Sequence, residues 1–261
     1  MKEQIESIRS EFSRQSATFD TYMATDVKKA FNENAVNEMK LTGNERVLEV
    51  AAGTCAFGRM IAPKVSHITE LDVTEAMLSV GRKENERAGI KNADYIIGEA
   101  ESLPFENESF DIAVSRLAFH HFLSAESVFK EMSRVVKSNG KIVIADMLAK
   151  DEPLRESADQ YEKMRDPSHI RCLCEEELSS LAEKYYCTVE YSSVTVIPMK
   201  LLSWLELTDT PLNIREKIVC DMQNEIGGKL KTGFFPYMEN GELMFDHQWL
   251  LMIIRKKAEN V

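Results

Sequence analysis

The chain has 261 residues and a formal net charge of −11, from 32 Lys plus Arg against 43 Asp plus Glu. At 44% hydrophobic and 29% charged residues it has a globular composition, which excludes disorder as its main character. The acidic balance argues against unaided binding to nucleic acid or to an anionic membrane surface.

Residues 1–40 read as helical and amphipathic, with Ile5, Ile8, Phe12 and Phe19 apolar among charges. From 46 to 146, strand-like runs alternate with helical stretches. The runs are Arg46–Val50, His67–Asp72, Ala93–Ile97, Phe110–Ser115 and Lys141–Asp146, and the helical stretches include 56–65, 76–88 and 125–137. Such alternation predicts βαβ units and a parallel sheet. Asn139-Gly140 offers a helix exit into the fifth run. Residues 151–185 read as helical, 188–197 as a strand, 201–226 as two helices split by Thr210-Pro211, and 243–255 as a final strand. The expected division is a helical lid (1–40), a cofactor-binding core (41–150), and a last part (151–261) that completes the sheet. A cap insert is expected at about 198–242.

No apolar run approaches the roughly 18–20 residues that span a bilayer. Met1-Lys2-Glu3-Gln4-Ile5-Glu6 lacks the apolar core of a signal peptide, so a cytoplasmic location and no membrane partner are expected. The five cysteines (Cys55, Cys172, Cys174, Cys187, Cys220) are an odd number and read as reduced thiols. Cys172-x-Cys174 has the wrong spacing for a zinc knuckle, and no metal site is expected.

The segment 47–58, Val-Leu-Glu-Val-Ala-Ala-Gly-Thr-Cys-Ala-Phe-Gly, reads as a buried strand, a turn of small residues and a helix start. Small residues let a backbone approach a ligand closely, and a helix start supplies free N–H donors. A dinucleotide site would want G-x-G-x-x-G, but Ala51, Gly53 and Ala56 occupy those places. Glu49 stands where a pyrophosphate would be repelled and a cation attracted. Asp72 ends the second run, 23 residues beyond Glu49, where a carboxylate suits both ribose hydroxyls. A generic strand-to-helix turn and an ordinary exposed acid remain the bland readings of these two places.

With its neighbours, this segment resembles the class I S-adenosylmethionine (SAM)-dependent methyltransferases. Segment 47–58 is similar to their first motif and Leu71–Leu78 to their second. Gly98–Phe105 followed by Ser109-Phe110-Asp111 is similar to the third, and Ser115–Phe122 to the fourth. Val135–Lys141 resembles their entry into the fifth strand. The group most resembled is the small-molecule branch related to ubiquinone and menaquinone biosynthesis methyltransferases. Departures are Ala51 and Cys55 where that family usually has Gly, and Glu49 and Glu99 where it usually has Asp.

The resemblance implies a Rossmann-like, doubly wound, seven-stranded and mostly parallel sheet, its last strand antiparallel, with SAM as cofactor. It implies methyl transfer to a small molecule, by a monomer or homodimer. Ala51 and Gly53 would line the methionine part of SAM and Glu49 would attract its amino group. Asp72 would hold the ribose. Glu99 and Ala100 would meet the adenine edge, and Met77 and Leu103 its faces unless they are plain core. Ser115 and Arg116 would face the methionine end.

Candidate bases are His120, His121 and His169, because an imidazole near neutral pKa suits proton transfer. Adjacent residues on a helix or strand cannot both face a site, so one of His120 and His121 is expected to be structural. His169 lies in the polar cluster Asp166-Pro167-Ser168-His169, which reads equally as a helix-capping turn, and Arg171 there is suited to an acidic substrate group. Trp204 and Phe235 in the cap are candidates for substrate contact or for cap packing. A nicotinamide-dependent oxidoreductase and a non-catalytic SAM-binding protein stand as alternatives.

Overall fold

Each apolar run of the first half becomes a strand, and all but the edge run Ala93–Ile97 bury both of their faces. The computed structural model describes residues 2–15, 25–151 and 153–258. Its strands are β1 (Arg46–Val50), β2 (His67–Asp72), β3 (Ala93–Ile97), β4 (Phe110–Arg116), β5 (Val136–Met147), β6 (Cys187–Lys200), β7 (Tyr237–Glu239) and β8 (Glu242–Lys256). Its α-helices are α1 (Lys2–Gln15), α2 (Asp26–Glu38), α3 (Ala56–Ile61), α4 (Glu75–Arg87), α5 (Ala125–Val135), α6 (Arg155–Arg165), α7 (Glu175–Lys184), α8 (Leu201–Leu207) and α9 (Leu212–Ile226).

The sheet order is β3-β2-β1-β4-β5-β8-β6. β1 to β5 pair in parallel, and β8 lies antiparallel between β5 and β6. Neighbouring residues enter opposite core layers, as strand geometry requires. Val47, Ile112, Val143 and Ile253 pack with Phe31 and Trp249 on one side. Leu48, Ala113, Ile142 and Met252 pack with Phe129 on the other. Two covered faces explain why these strands read as continuous apolar runs. The order reverses between β1 and β4, the switch point at which open α/β sheets form a ligand crevice.

Three details differ from the sequence reading. The eighth strand, β7, was not expected. It pairs with β8 through Asn240 and Gly241 at φ 50° and 82°, the left-handed pair of a tight hairpin. Helix α5 stops at Val135, and β5 starts at once at Val136. Its irregular entry contains Asn139 at φ 62°, so the asparagine takes the left-handed turn expected near Gly140. The helical stretch 151–185 breaks into α6 and α7, and the Asp166–His169 cluster lies between them. Of the early apolar positions, Phe19 lies outside the described residues. Among the described residues, no helix is long and apolar enough to cross a membrane.

Candidate active site

The turn after β1 is shaped by three left-handed residues in alternation: Ala51, Gly53 and Cys55, at φ 58°, 54° and 55°. The glycine adopts this conformation freely, whereas Ala51 and Cys55 each carry about 1–2 kcal/mol of steric cost. Tertiary contacts hold them there. The Ala52 N–H donates to the Leu71 carbonyl at 2.9 Å, and the Cys55 N–H to that of Ala52 at 2.8 Å. Gly81 of α4 leaves the room that the Cys55 sulfur fills, since a Cβ there would lie 2.5 Å from it. Burial, followed by nearby Glu70 and Glu49, pushes that thiol far up, so it stays uncharged.

Asp72 fastens the turn to the end of β2. Its Oδ2 accepts from the Gly53 N–H at 2.8 Å and its Oδ1 from the Thr74 N–H at 2.7 Å. Each oxygen has a further lone pair for a ligand hydroxyl. Burial raises its pKa, and those backbone bonds pull the other way.

These residues wall an open cleft at the carboxyl ends of β1, β2 and β4. Glu49, Asp72, Gly53 and Arg116 supply its polar lining, and Leu71, Met77 and Phe122 its apolar walls. From α1, Ile8 and Phe12 close one side. Arg9 and Gln4 tie that helix down: Arg9 Nε donates to the Val73 carbonyl at 3.1 Å, and Gln4 Nε2 to the carbonyls of His121 and Ser168 at 3.0 and 2.7 Å.

A second cavity shares Phe12, Leu117 and His121 with the first. Leu117 sits at this junction with φ 51°, an uncommon conformation for a bulky residue, and its N–H donates to the Ala145 carbonyl at 2.7 Å. The cavity also contains His120, His169, His247, Arg165 and Trp204.

Each histidine in it has its own partner. His120 Nδ1 meets Asp146 Oδ1 at 2.5 Å, while Asp146 Oδ2 accepts from the Ala118 and Phe119 N–H groups at 2.8 and 2.7 Å. Burial pulls the His120 pKa down, but the Asp146 charge and hydrogen bond outweigh it and the net shift is upward. Asp146 correspondingly stays below the usual carboxylate range despite its burial. His121 Nδ1 lies 3.2 Å from Ser168 Oγ, itself bonded to Asp166. Burial and then the charge of His120 push His121 down to about 3, so it is neutral near pH 7. His169 Nε2 meets Asp159 Oδ1 at 2.8 Å, and that oxygen also accepts from the Cys172 N–H at 3.0 Å. His247 Nε2 meets Glu162 at 3.0 Å.

The structure brings together Glu49, Ala51, Gly53, Asp72, Met77, Ala100 and Arg116 around the first cavity. It does not bring three expected neighbours there. Glu99 lies between Gly98 and Ala100, which line the cleft while it does not. Ser115 is fully enclosed and off the lining, because alternation turns it away where Arg116 points in. Leu103 is core, packed with Ala100 and Phe110.

In the second cavity, both adjacent histidines face the space, against the expectation that one would turn away. They sit on a single 3-10 turn, Phe119–His121, which lacks the face geometry of an α-helix or strand. Arg171 is elsewhere: its backbone docks on the His120 carbonyl, while its half-exposed guanidinium bonds Glu177 at 2.7 Å. Phe235 is 64% exposed, and its neighbour Phe234 is the buried one, against Trp204 and Phe245. The sequence reading missed Phe12 and Ile8 as wall residues, although their i, i+4 spacing was a usable signal. It also missed Leu117, which carries no signal in the sequence, and Glu70, which lies beside Glu49 in the β1–β2 register.

A doubly wound sheet with a carboxylate-ended β2 and a cleft at its switch point defines a nucleoside-cofactor-binding protein. The methyltransferase domain family matches residues 48–144. The uncharacterized protein YafE of Escherichia coli K12 is 30% identical, over 79% of this chain and 97% of that one. The ubiquinone/menaquinone biosynthesis C-methyltransferase UbiE of Coxiella burnetii is 28% identical, over 79% of this chain and 80% of that one. The crystal structure of a putative methyltransferase from Bacillus halodurans superposes with a TM-score of 0.80 at 27% identity, covering 87% of this chain and 99% of that one. The chain belongs to the class I SAM-dependent methyltransferases, and SAM is its cofactor. That membership sets aside the nicotinamide reading. The donor set of the first cavity fits SAM: carboxylates for its cationic groups and ribose, apolar walls for its adenine.

Proposed function

We propose that this protein methylates a small-molecule acceptor held in the second cavity, with His120 as general base and α1 as a lid over both sites. The observation that carries this reading is the set Phe12, Leu117 and His121, which lines both a carboxylate-lined cleft and a histidine-lined cavity. Asp72 would hold the ribose and Glu49 the methionine amino group. SAM, when bound, supplies an electrophilic methyl group on a sulfonium.

The protein's own contribution is positioning, charge placement and proton removal. The sulfonium charge disappears during transfer, so a carboxylate close to sulfur would favour the ground state. The junction fits that demand, since its three shared residues are apolar or neutral. Asp146 fixes His120 by its Nδ1. The other nitrogen, Nε2, has no hydrogen-bond partner among the described residues and can take an acceptor proton. Trp204, 1% exposed and under the Arg165 guanidinium at 4.8 Å, would form a flat wall of the acceptor site.

Calorimetry tests the cofactor half. The wild-type chain should bind SAM and S-adenosylhomocysteine, and Asp72→Ala should weaken both. No binding by the wild type overturns the reading, and equal binding by the variant overturns the ribose role. For the base, His120→Gln should keep SAM binding and lose about 10²–10⁴-fold in turnover of an identified acceptor. Unchanged turnover would remove His120 from the mechanism.

A further inference from the structure

Beneath the first cavity lie two acids that the methyl-transfer reading does not account for as a unit. Glu49 and Glu70 stand opposite each other in the parallel register of β1 and β2, at 2% and 0% exposure. Their carboxyl groups meet in the space left by Gly58. A Cβ on that residue would lie 2.1 Å from Glu70 Oε1 and 2.5 Å from Glu49 Oε2. The two carboxyl groups lie within hydrogen-bonding reach of each other. Both Glu70 oxygens and Glu49 Oε2 are buried and have no hydrogen-bond donor among the described residues, so only a proton shared within the pair can satisfy them.

Ionised carboxylates only accept hydrogen bonds. Two of them in contact, away from water, hold together only if one keeps its proton. Glu70 is the proton holder: burial, then the Glu49 charge, push its pKa well above the usual range. Glu49 lines the cavity and lies within reach of the Arg116 charge, so the negative charge resides on the acid that faces the ligand.

We propose that Glu70 is a specificity-determining residue: its shared proton links cofactor recognition to proton release, favouring the cationic methyl donor over its neutral demethylated product as pH rises. This rests on the reading that the cofactor's methionine end faces Glu49. SAM carries one positive charge that S-adenosylhomocysteine lacks. Both ligands bring the ammonium that Glu49 attracts, so they differ only by the sulfonium, whose longer-range field adds to the pull toward loss of the shared proton. The other charged or titratable groups around the pair are Asp72 on β2, Cys55 in the turn, Arg59 on α3, Tyr95 on β3 and Arg116 on β4. The arginines are cationic throughout, and the thiol and phenol are both held up in the neutral form.

The test is calorimetry of the whole chain with SAM and S-adenosylhomocysteine, from mildly acid to mildly alkaline pH, in buffers of different ionisation enthalpy. The wild type should release more protons with SAM than with the product. Its SAM-to-product affinity ratio should rise with pH, by at most about tenfold per unit for one linked proton. Glu70→Gln keeps a donor for Glu49 but cannot titrate. It should still bind SAM, with the extra proton release gone and the ratio flat. His120 titrates equally in both proteins, so their difference isolates the acid pair.

Equal proton release for the two ligands in the wild type overturns the inference, as does an unchanged pH slope in Glu70→Gln. If that variant fails to fold, the wild type alone decides by infrared difference spectra. A protonated-carboxyl band that weakens with SAM and not with the product supports the pair, and an identical band with both refutes it. SAM binding without this linkage sinks only the inference; no SAM binding sinks the proposed function and the inference together.

Discussion

Replacing Gly58 by alanine tests how tightly the acid pair is built into the fold. On an ordinary helix the change would stabilise by about 1 kcal/mol, because alanine is the better helix former. Here the new methyl would lie 2.1 Å from one Glu70 oxygen, whereas ordinary contact begins at 3.4 Å, so something must move by about 1.3 Å. Neither neighbour yields easily. Glu49 and Glu70 are enclosed on central strands, and α3 is locked to the Ala51–Cys55 turn. Overpacking of this kind costs about 1–3 kcal/mol, which cancels the helix gain and leaves a net loss of up to about 2 kcal/mol. For a chain of this size that lowers Tm by up to roughly 8 °C. Urea unfolding of Gly58→Ala, Glu70→Ala and the double variant reads the effect and its origin. Removing the Glu70 carboxyl reopens the space, so the two changes should couple by roughly 0.5–3 kcal/mol. A Gly58→Ala protein stabilised by the full helix gain, or strict additivity in the cycle, would refute the argument.

Two further outcomes follow from the second cavity and from the aromatic packing beside it. His121 is held neutral down to about pH 3, whereas an unfolded histidine protonates near 6.5. The unfolded chain therefore binds more protons within that window, and this contribution is lost as pH falls through it, about 2 kcal/mol by roughly pH 5. His121→Gln should remove that acid sensitivity in denaturation midpoints measured against pH, and an unchanged slope would contradict it. Phe234→Ala should cost about 3–5 kcal/mol because the ring is 2% exposed between Trp204 and Phe245. Phe235→Ala, removing a 64% exposed ring, should stay within about 0.5 kcal/mol; the reverse ranking by thermal unfolding would show these two rings to be packed differently.

The sequence by itself determined the sheet and the polar ends of its strands. Continuous apolar runs such as Val47-Leu48 and Ile142-Val143 are legible because a strand covered on both faces needs apolar residues at every step. Glu49 and Asp72 were legible because an acid interrupting or ending such a run is costly without a purpose. Tertiary structure alone decided the rest. Whether an acid has a partner depends on strand register, which sets Glu70 against Glu49 although 21 residues separate them. Which of two neighbouring residues turns inward depends on backbone angles: Leu117 at φ 51° lines both cavities, and Phe235 at φ 51° turns outward while Phe234 packs. A 3-10 turn points both His120 and His121 into one space, and helix α7 draws the Arg171 side chain away to Glu177. Pattern along a chain records what must be buried. Pairing across it, which fixes partners and directions, is set only when distant strands and helices come into contact.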